Sequence, residues 1–231
     1  MIDLLIGLVL SIGVSVVAYQ RERLDQRGAV AAVIIGTIIY VTGGWLYTAM
    51  MLFFFVSANV VSHWSEAVKP KRTVVQVLAN GLVATLLSIG YYFSGDSVYT
   101  LLYAASIAVA TADTWASEIG LLSRTSPRHI LTMKPVLPGT DGGVSPLGIT
   151  ASVIAAASVS LFVGASWIVI AAGIAGSIID SLLGVIQRKK VILSSGELVH
   201  IGWRWLTNDS VNLLSQIIVI GGLILLLGPL W

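Results

Sequence analysis

Three acidic residues stand in apolar surroundings where a charge is costly, and their neighbours are the types that handle phosphate. Asp113 and Glu118 lie in Ala112-Asp113-Thr114-Trp115-Ala116-Ser117-Glu118-Ile119-Gly120, which closes an apolar run. Ionisable residues inside or at the rim of such a run mark function by default. On a helix Asp113 and Ser117 share one face and Thr114 and Glu118 another. The two carboxylates, five apart, point to different sides and meet one crevice only if it wraps the helix end. Asp180 lies within Gly176-Ser177-Ile178-Ile179-Asp180-Ser181-Leu182-Leu183-Gly184. Gly173, Ser177, Asp180, Gly184 and Gln187 repeat at three- and four-residue steps. A stripe of small residues lets helices pack closely; a carboxylate in its middle points beyond packing.

The segment Lys134-Pro135-Val136-Leu137-Pro138-Gly139-Thr140-Asp141-Gly142-Gly143-Val144-Ser145 precedes another apolar run. Glycines let backbone N–H groups turn toward an anion, and the next helix N-terminus adds a positive dipole end. Lys134 could neutralise a phosphate there and Asp141 could hold a magnesium ion. The segment lacks the Gly-Lys-Ser/Thr order of a Walker A loop. Two amide stripes complete the set: Arg72, Gln76 and Asn80, and Asn208, Asn212 and Gln216. Asn208 is also a natural helix cap, with Asp209 in a favourable first turn. Asn59 with Ser62, and His63 with Glu66, mark the end of a further run. Carboxylates, amides, a glycine loop and Lys/Arg at one depth are the inventory of a magnesium–phosphate site. Phosphoryl transfer asks mainly for positioning and charge neutralisation.

The elements that must position these groups are set by composition. Of 231 residues 56% are apolar and 10% charged, with mean hydropathy +0.93. A soluble domain is about a quarter charged, so a soluble globular chain and a disordered one are both excluded. There is no cysteine, hence no disulfide, thiolate metal site or cysteine nucleophile, and three histidines limit histidine chemistry. A net charge of +2 marks loops at a membrane, and no nucleic-acid partner is expected. Since a span takes roughly 20 apolar residues, the sequence predicts an all-α, polytopic transmembrane bundle with spans at 2–19, 29–43, 45–62, 73–93, 98–112, 147–164, 166–187 and 209–229. Gly43-Gly44 and Trp45 mark a hairpin, or a pair of helices that does not fully cross. The range is seven to nine crossings, with eight preferred, in one integral membrane domain over 1–231.

All thirteen Lys and Arg fall in alternate connections, at 20–28, 63–72, 113–146 and 188–208. Cytoplasmic loops carry that excess, so these loops are expected inside, both termini outside, and the site on the cytoplasmic side of the plasma membrane. The first span has no basic n-region and carries Asp3, unlike a cleavable signal peptide. Small-residue seams allow packing within the chain or across a homodimer.

Ala-Asp-Thr-Trp-Ala-Ser-Glu-Ile-Gly at 112–120, Gly-Thr-Asp-Gly-Gly-Val-Ser at 139–145 and Asp-Ser-Leu-Leu-Gly at 180–184 resemble the family that contains plant phytyl-phosphate kinase and transmembrane protein 19. Lys71-Arg72-Thr73 with Gln76 and Asn80-Gly81 fits it too, as does Asn208-Asp209 with Asn212. The resemblance runs over essentially the whole chain in the same order. It implies an isoprenoid-monophosphate kinase, distantly similar to polyprenol kinases and phosphatidate cytidylyltransferases that use CTP. Implied partners are a prenyl monophosphate such as phytyl or geranylgeranyl phosphate, CTP or ATP, and membrane lipid. On that resemblance Asp113, Glu118 and Asp180 would coordinate one or two magnesium ions, with Asp141 a fourth acid. Lys134 and the backbone of Gly139, Thr140, Asp141, Gly142 and Gly143 would hold nucleotide phosphates, helped by Arg72 or Lys71. Gln76, Asn80 and Asn212 would bond the acceptor phosphate or orient ligands, with Ser117 beside them. Two alternatives stay open: a CTP-dependent lipid-phosphate cytidylyltransferase, and a transporter using intramembrane acids.

Overall fold

The computed structural model describes residues 1–64, 70–192 and 198–228; Glu66 and Lys69 lie outside them. The described chain is mainly helical: α1 (Ile2–Gln20), α2 (Gln26–Trp64), α3 (Val74–Ser94), α4 (Val98–Gly120), α5 (Pro146–Ser160), α6 (Trp167–Ile186) and α7 (Asn208–Leu227). Two short antiparallel hairpins join them, β1 (Arg128–His129) with β2 (Gly143–Val144) and β3 (Lys189–Ile192) with β4 (Leu198–Ile201). Among the described residues six helical segments are long and apolar enough to cross a membrane: α1, α2, α3, Pro146–Val163, α6 and α7.

Helix α2 carries the sequence's hairpin signal. Gly44 breaks its helical geometry at φ 68°, ψ −157°, in a region open essentially to glycine alone. Contacts on either side run in opposite directions. Before the break, Ile35 meets Gly81 and Thr42 donates to Ser88, so the chain runs with α3. After it, Tyr47 bonds Thr100, Trp115 donates to Ser57 and Ser62 to Glu118, so it runs with α4. Since α3 and α4 are antiparallel across the turn at Gly95, the chain doubles back at Gly44.

Helix α4 is the axis of the bundle, and α2, α3, α5, α6 and α7 all pack on it. From Leu102 to Ala112 every residue is buried, and most are Ala, Ser or Thr. Without a hydrophobic drive between helices in lipid, small residues bring backbones close and hydrogen bonds join them. Gly173 approaches the Ala108 carbonyl and Ala156, and Gly176 packs on Val109, so the glycine stripe of α6 is a seam within this chain. Gln216, 1% exposed, donates to the Ala79 carbonyl and accepts from Ser106, joining α7, α3 and α4. Outward faces carry exposed Val9, Ile34, Val56, Leu86, Ile154 and Ile218, as expected where lipid is the solvent.

The charged connections gather at one end. Arg72 N–H donates to the Arg23 carbonyl and Asp25 N–H to that of Arg72, so the α1–α2 turn lies on the start of α3. Helix α4 extends well beyond the predicted end at 112, through Gly120. The cap of α7 is Thr207 rather than Asn208, because its hydroxyl accepts from Ser210 N–H in a capping box.

Candidate active site

Helices α4, α6 and α7 bring three of the expected residues to one point. The carboxyls of Asp113 and Asp180 meet within hydrogen-bonding reach. With its nitrogen turned toward its acceptors, the Asn212 amide donates to Asp180 Oδ2 at 3.0 Å and to the Asn208 carbonyl at 3.2 Å. Two carboxylates this close need a proton or a cation between them. The glycines of α6 make the meeting possible, since they let its backbone approach α4 one to two turns before Asp180.

The glycine loop covers this pair. β1 pairs with β2, and Ile130 N–H donates to the Gly142 carbonyl at 2.8 Å. Gly139 and Gly142 take left-handed φ of 80° and 73°. At Gly142 a Cβ would strike the Val185 side chain and come within 3.2 Å of the Ser181 carbonyl, so the loop lies directly on α6 after Asp180. Ser145 caps α5 by accepting from Gly148 N–H, and it donates to the Gly120 carbonyl, fixing the loop exit to α4. Between loop and helices lies a cavity of about 960 Å³ lined by Asp113, Ser117, Thr140, Asp141, Asp180 and Asn208, with Gly139, Gly142 and Gly143 in its wall.

The remaining expected residues divide. Glu118 is only 5% exposed and accepts from Ser62 at 3.1 Å, on the side of α4 away from Asp180. It lies in electrostatic range of Arg72 and Asp113. Burial pushes the Arg72 guanidinium below its ordinary value, Glu118 pulls it back up, and Arg23 opposes that. Arg72, Gln76 and Asn80 line a second, apolar cavity between α1, α2 and α3 instead of the cavity at Asp113. The Gln76 side-chain oxygen accepts from Thr73 N–H in the capping box that opens α3, and the Asn80 amide donates to the Gln76 backbone carbonyl. Lys71 pairs with Glu22 at 3.0 Å at the surface. Lys134 is exposed at the tip of the loop and outside the cavity lining. The cation that does line the cavity is Arg128, held by an Nη1 bond to the Met133 carbonyl. As one basic residue in a charged loop, it carried no spacing signal. Gln187, whose buried Oε1 has no hydrogen-bond partner among the described residues, lines the same wall.

Among the described residues no three His, Cys, Asp or Glu side chains form one metal-binding group. The acids expected to act together are therefore split, with Glu118 turned away by its five-residue offset. The Asp113–Asp180 pair still fits magnesium, which is commonly held by one or two carboxylates with phosphates and water completing its shell.

Residues 9–220 match the family described as integral membrane protein DUF92. An uncharacterised membrane protein of Methanocaldococcus jannaschii is 34% identical over 238 residues, covering 97% of this chain and 93% of the relative. Protein PGR of Arabidopsis thaliana is 31% identical over 265 residues, 92% of each. The chloroplastic protein VTE6 of the same plant is 29% identical over 217 residues, 83% of this chain and 62% of the relative. No solved structure matches the chain.

Proposed function

The chain belongs to the DUF92 family of integral membrane proteins, and on that footing we propose that it is an isoprenoid-monophosphate kinase. It would transfer the terminal phosphoryl group of a nucleoside triphosphate, CTP preferred, to a prenyl monophosphate such as phytyl or geranylgeranyl phosphate. The observation that carries this reading is the Asp113–Asp180 pair, braced by Asn212 and opening onto a glycine-walled cavity. Likeness to VTE6, named as chloroplastic, fits a lipid substrate of the kind the motif resemblance implies.

In this reading the cavity holds the nucleotide. The N–H groups of Gly139 and Gly142 and the Arg128 guanidinium would face its phosphates, those of Thr140 and Gly143 being bonded within the loop, and Asn212 would fix the angle of Asp180. Magnesium held by Asp113 and Asp180 would neutralise charge on the phosphoryl group in transfer. One acceptor phosphate oxygen forms the new P–O bond, the bond to the leaving nucleoside diphosphate breaks, and that diphosphate departs with its electron pair. The acceptor oxygen is already anionic at neutral pH, so no strong general base is needed. The scarcity of histidine agrees with this.

The same reading takes the bundle as eight crossings, with α2 counted twice across Gly44 and α4 included. Both termini lie outside and the basic end faces the cytoplasm of a cell enclosed by this membrane, following the rule for Lys and Arg. The test is turnover in nanodiscs with geranylgeranyl or phytyl monophosphate, magnesium, and CTP or ATP offered separately. A prenyl diphosphate by mass supports the kinase. A lipid carrying the nucleotide, with pyrophosphate released, moves these residues to a cytidylyltransferase. No product from folded protein removes both and leaves transport.

A further inference from the structure

The cavity at Arg72 has a shape and polarity of its own. It is a narrow slot of about 150 Å³ between α1, both halves of α2 and the start of α3. Its walls are apolar, with Leu10, Val14, Ile35, Met51, Phe54 and Phe55 among them. On α2 the lining positions run from Ala32 to Ile39 before the reversal and from Trp45 to Phe55 after it, the latter roughly 15 Å at the rise of a helix. A slot this long and this small in volume takes one chain lengthwise and has no room for two. Gly36 keeps it narrow: a Cβ there would sit 2.6 Å from Ser11 Oγ.

The two ends of the slot differ. Trp45 stands at the end beside the Gly44 reversal. Arg72, Gln76 and Asn80 stand at the other, where the charged connections gather. Among the described residues the Arg72 guanidinium makes no hydrogen bond, although it is half-buried and has five N–H donors. Buried donors without partners are costly, and a guanidinium matches a phosphate in two parallel bonds. Glu118 lies in electrostatic range of both Arg72 and Asp113, which puts the head end of the slot at the same end of the bundle as the carboxylate pair.

We propose that this slot is the acceptor site: it takes a single-chain isoprenoid monophosphate, phosphate at Arg72 and chain running between α1 and α2 toward Trp45. The inference rests on the kinase reading for the identity of the reaction. It assigns Arg72 to the acceptor phosphate rather than to the nucleotide, and gives the prenyl chain a cavity of its own, walled by α1, α2 and α3. At about 150 Å³ the slot should disfavour two-chain phospholipids, and short polar phosphates gain nothing from its apolar walls.

The test uses the full chain in nanodiscs without nucleotide, and geranylgeranyl monophosphate bearing a benzophenone at the far end of its chain. Cross-links in the native sequence are mapped by mass. They are expected on α1 and α2 near Trp45 and to be competed by unlabelled geranylgeranyl monophosphate. Arg72→Gln should weaken labelling by the phosphate probe about tenfold and leave the matching alcohol probe unchanged. Arg72→Lys should recover part of the loss, and Ala32→Phe should block labelling at Trp45. Cross-links confined to α5–α7, or an alcohol probe that labels as well as the phosphate, would overturn the proposal. Mapping in the native chain keeps the test decisive if Ala32→Phe does not fold. Labelling of the slot without turnover would remove the kinase and keep the slot. Turnover with labels elsewhere would do the reverse.

Discussion

The Asn212 amide donates to Asp180 Oδ2 at 3.0 Å, so the start of α7 sets the angle at which Asp180 meets Asp113. A hydrogen bond to a charged group contributes about 1.5–3 kcal/mol. If it holds Asp180 in its reacting orientation, Asn212→Ala should lower kcat roughly ten- to a hundredfold, with KM for the nucleotide little changed. Asn212→Asp should be worse than Ala, because it places a third carboxylate against the pair. Equal kcat in all three proteins would remove the orienting role.

The carboxylate pair itself predicts opposite effects on stability and turnover. Facing carboxylates repel when both are ionised, so Asp180→Asn should melt no lower than the native protein in EDTA. The same change should abolish turnover. Magnesium should raise the melting temperature of the native chain, since a ligand bound only by the folded form stabilises it, and should leave Asp180→Asn and Asp113→Asn unmoved. A native protein insensitive to magnesium in thermal unfolding would contradict the pair as its site.

What could be read from the residues follows a physical divide. The break at Gly43-Gly44, the segregation of Lys and Arg, and the placing of Asp113 and Glu118 on different sides of one helix are local properties of period and composition. The first and the third recur in the fold. Which helix faces which is tertiary, and there the reading was coarser. Arg72, Gln76 and Asn80 lie at the same basic end of the bundle as the acid pair but line a different cavity, walled by α1, α2 and α3. Depth along a span follows from hydropathy, whereas the bearing around the bundle axis depends on packing partners. Lys134 and Arg128 illustrate the same divide inside one loop. Both are basic and close in sequence, yet the β1–β2 pairing turns Arg128 to the cavity and leaves Lys134 at the exposed tip.

Gly142 ties the loop to α6, and its substitution separates loop placement from helix packing. With φ at 73° and the Val185 side chain and Ser181 carbonyl against the position of a Cβ, Gly142→Ala is strained by conformation and by contact together. Left-handed strain alone is of order 1–3 kcal/mol. The loop should lift from α6, raising KM for the nucleotide several-fold while the helices, which do not depend on this residue, keep their melting temperature within a few degrees. Gly139, which has only Leu121 at 3.7 Å, should show the conformational part of the effect alone. An unchanged KM in Gly142→Ala would mean that the loop does not bound the nucleotide site.

Gly44 carries the reversal that places both ends of α2 at the basic end of the bundle. Its backbone lies where residues with a Cβ are strained, although nothing crowds the site within 4 Å. The cost of Gly44→Ala is therefore conformational, about 1–3 kcal/mol. It should appear as a lower melting temperature in detergent without local clash. Gly13 in α1 is the matched control: it is helical, it too has nothing within 4 Å, and alanine there should stabilise by about 0.5–1 kcal/mol. Because the slot is walled by both halves of α2, loosening the reversal should also weaken prenyl-phosphate labelling near Trp45 more than it weakens nucleotide binding. A Gly44→Ala protein as stable as the Gly13→Ala control would show that α2 does not need the turn seen at this residue.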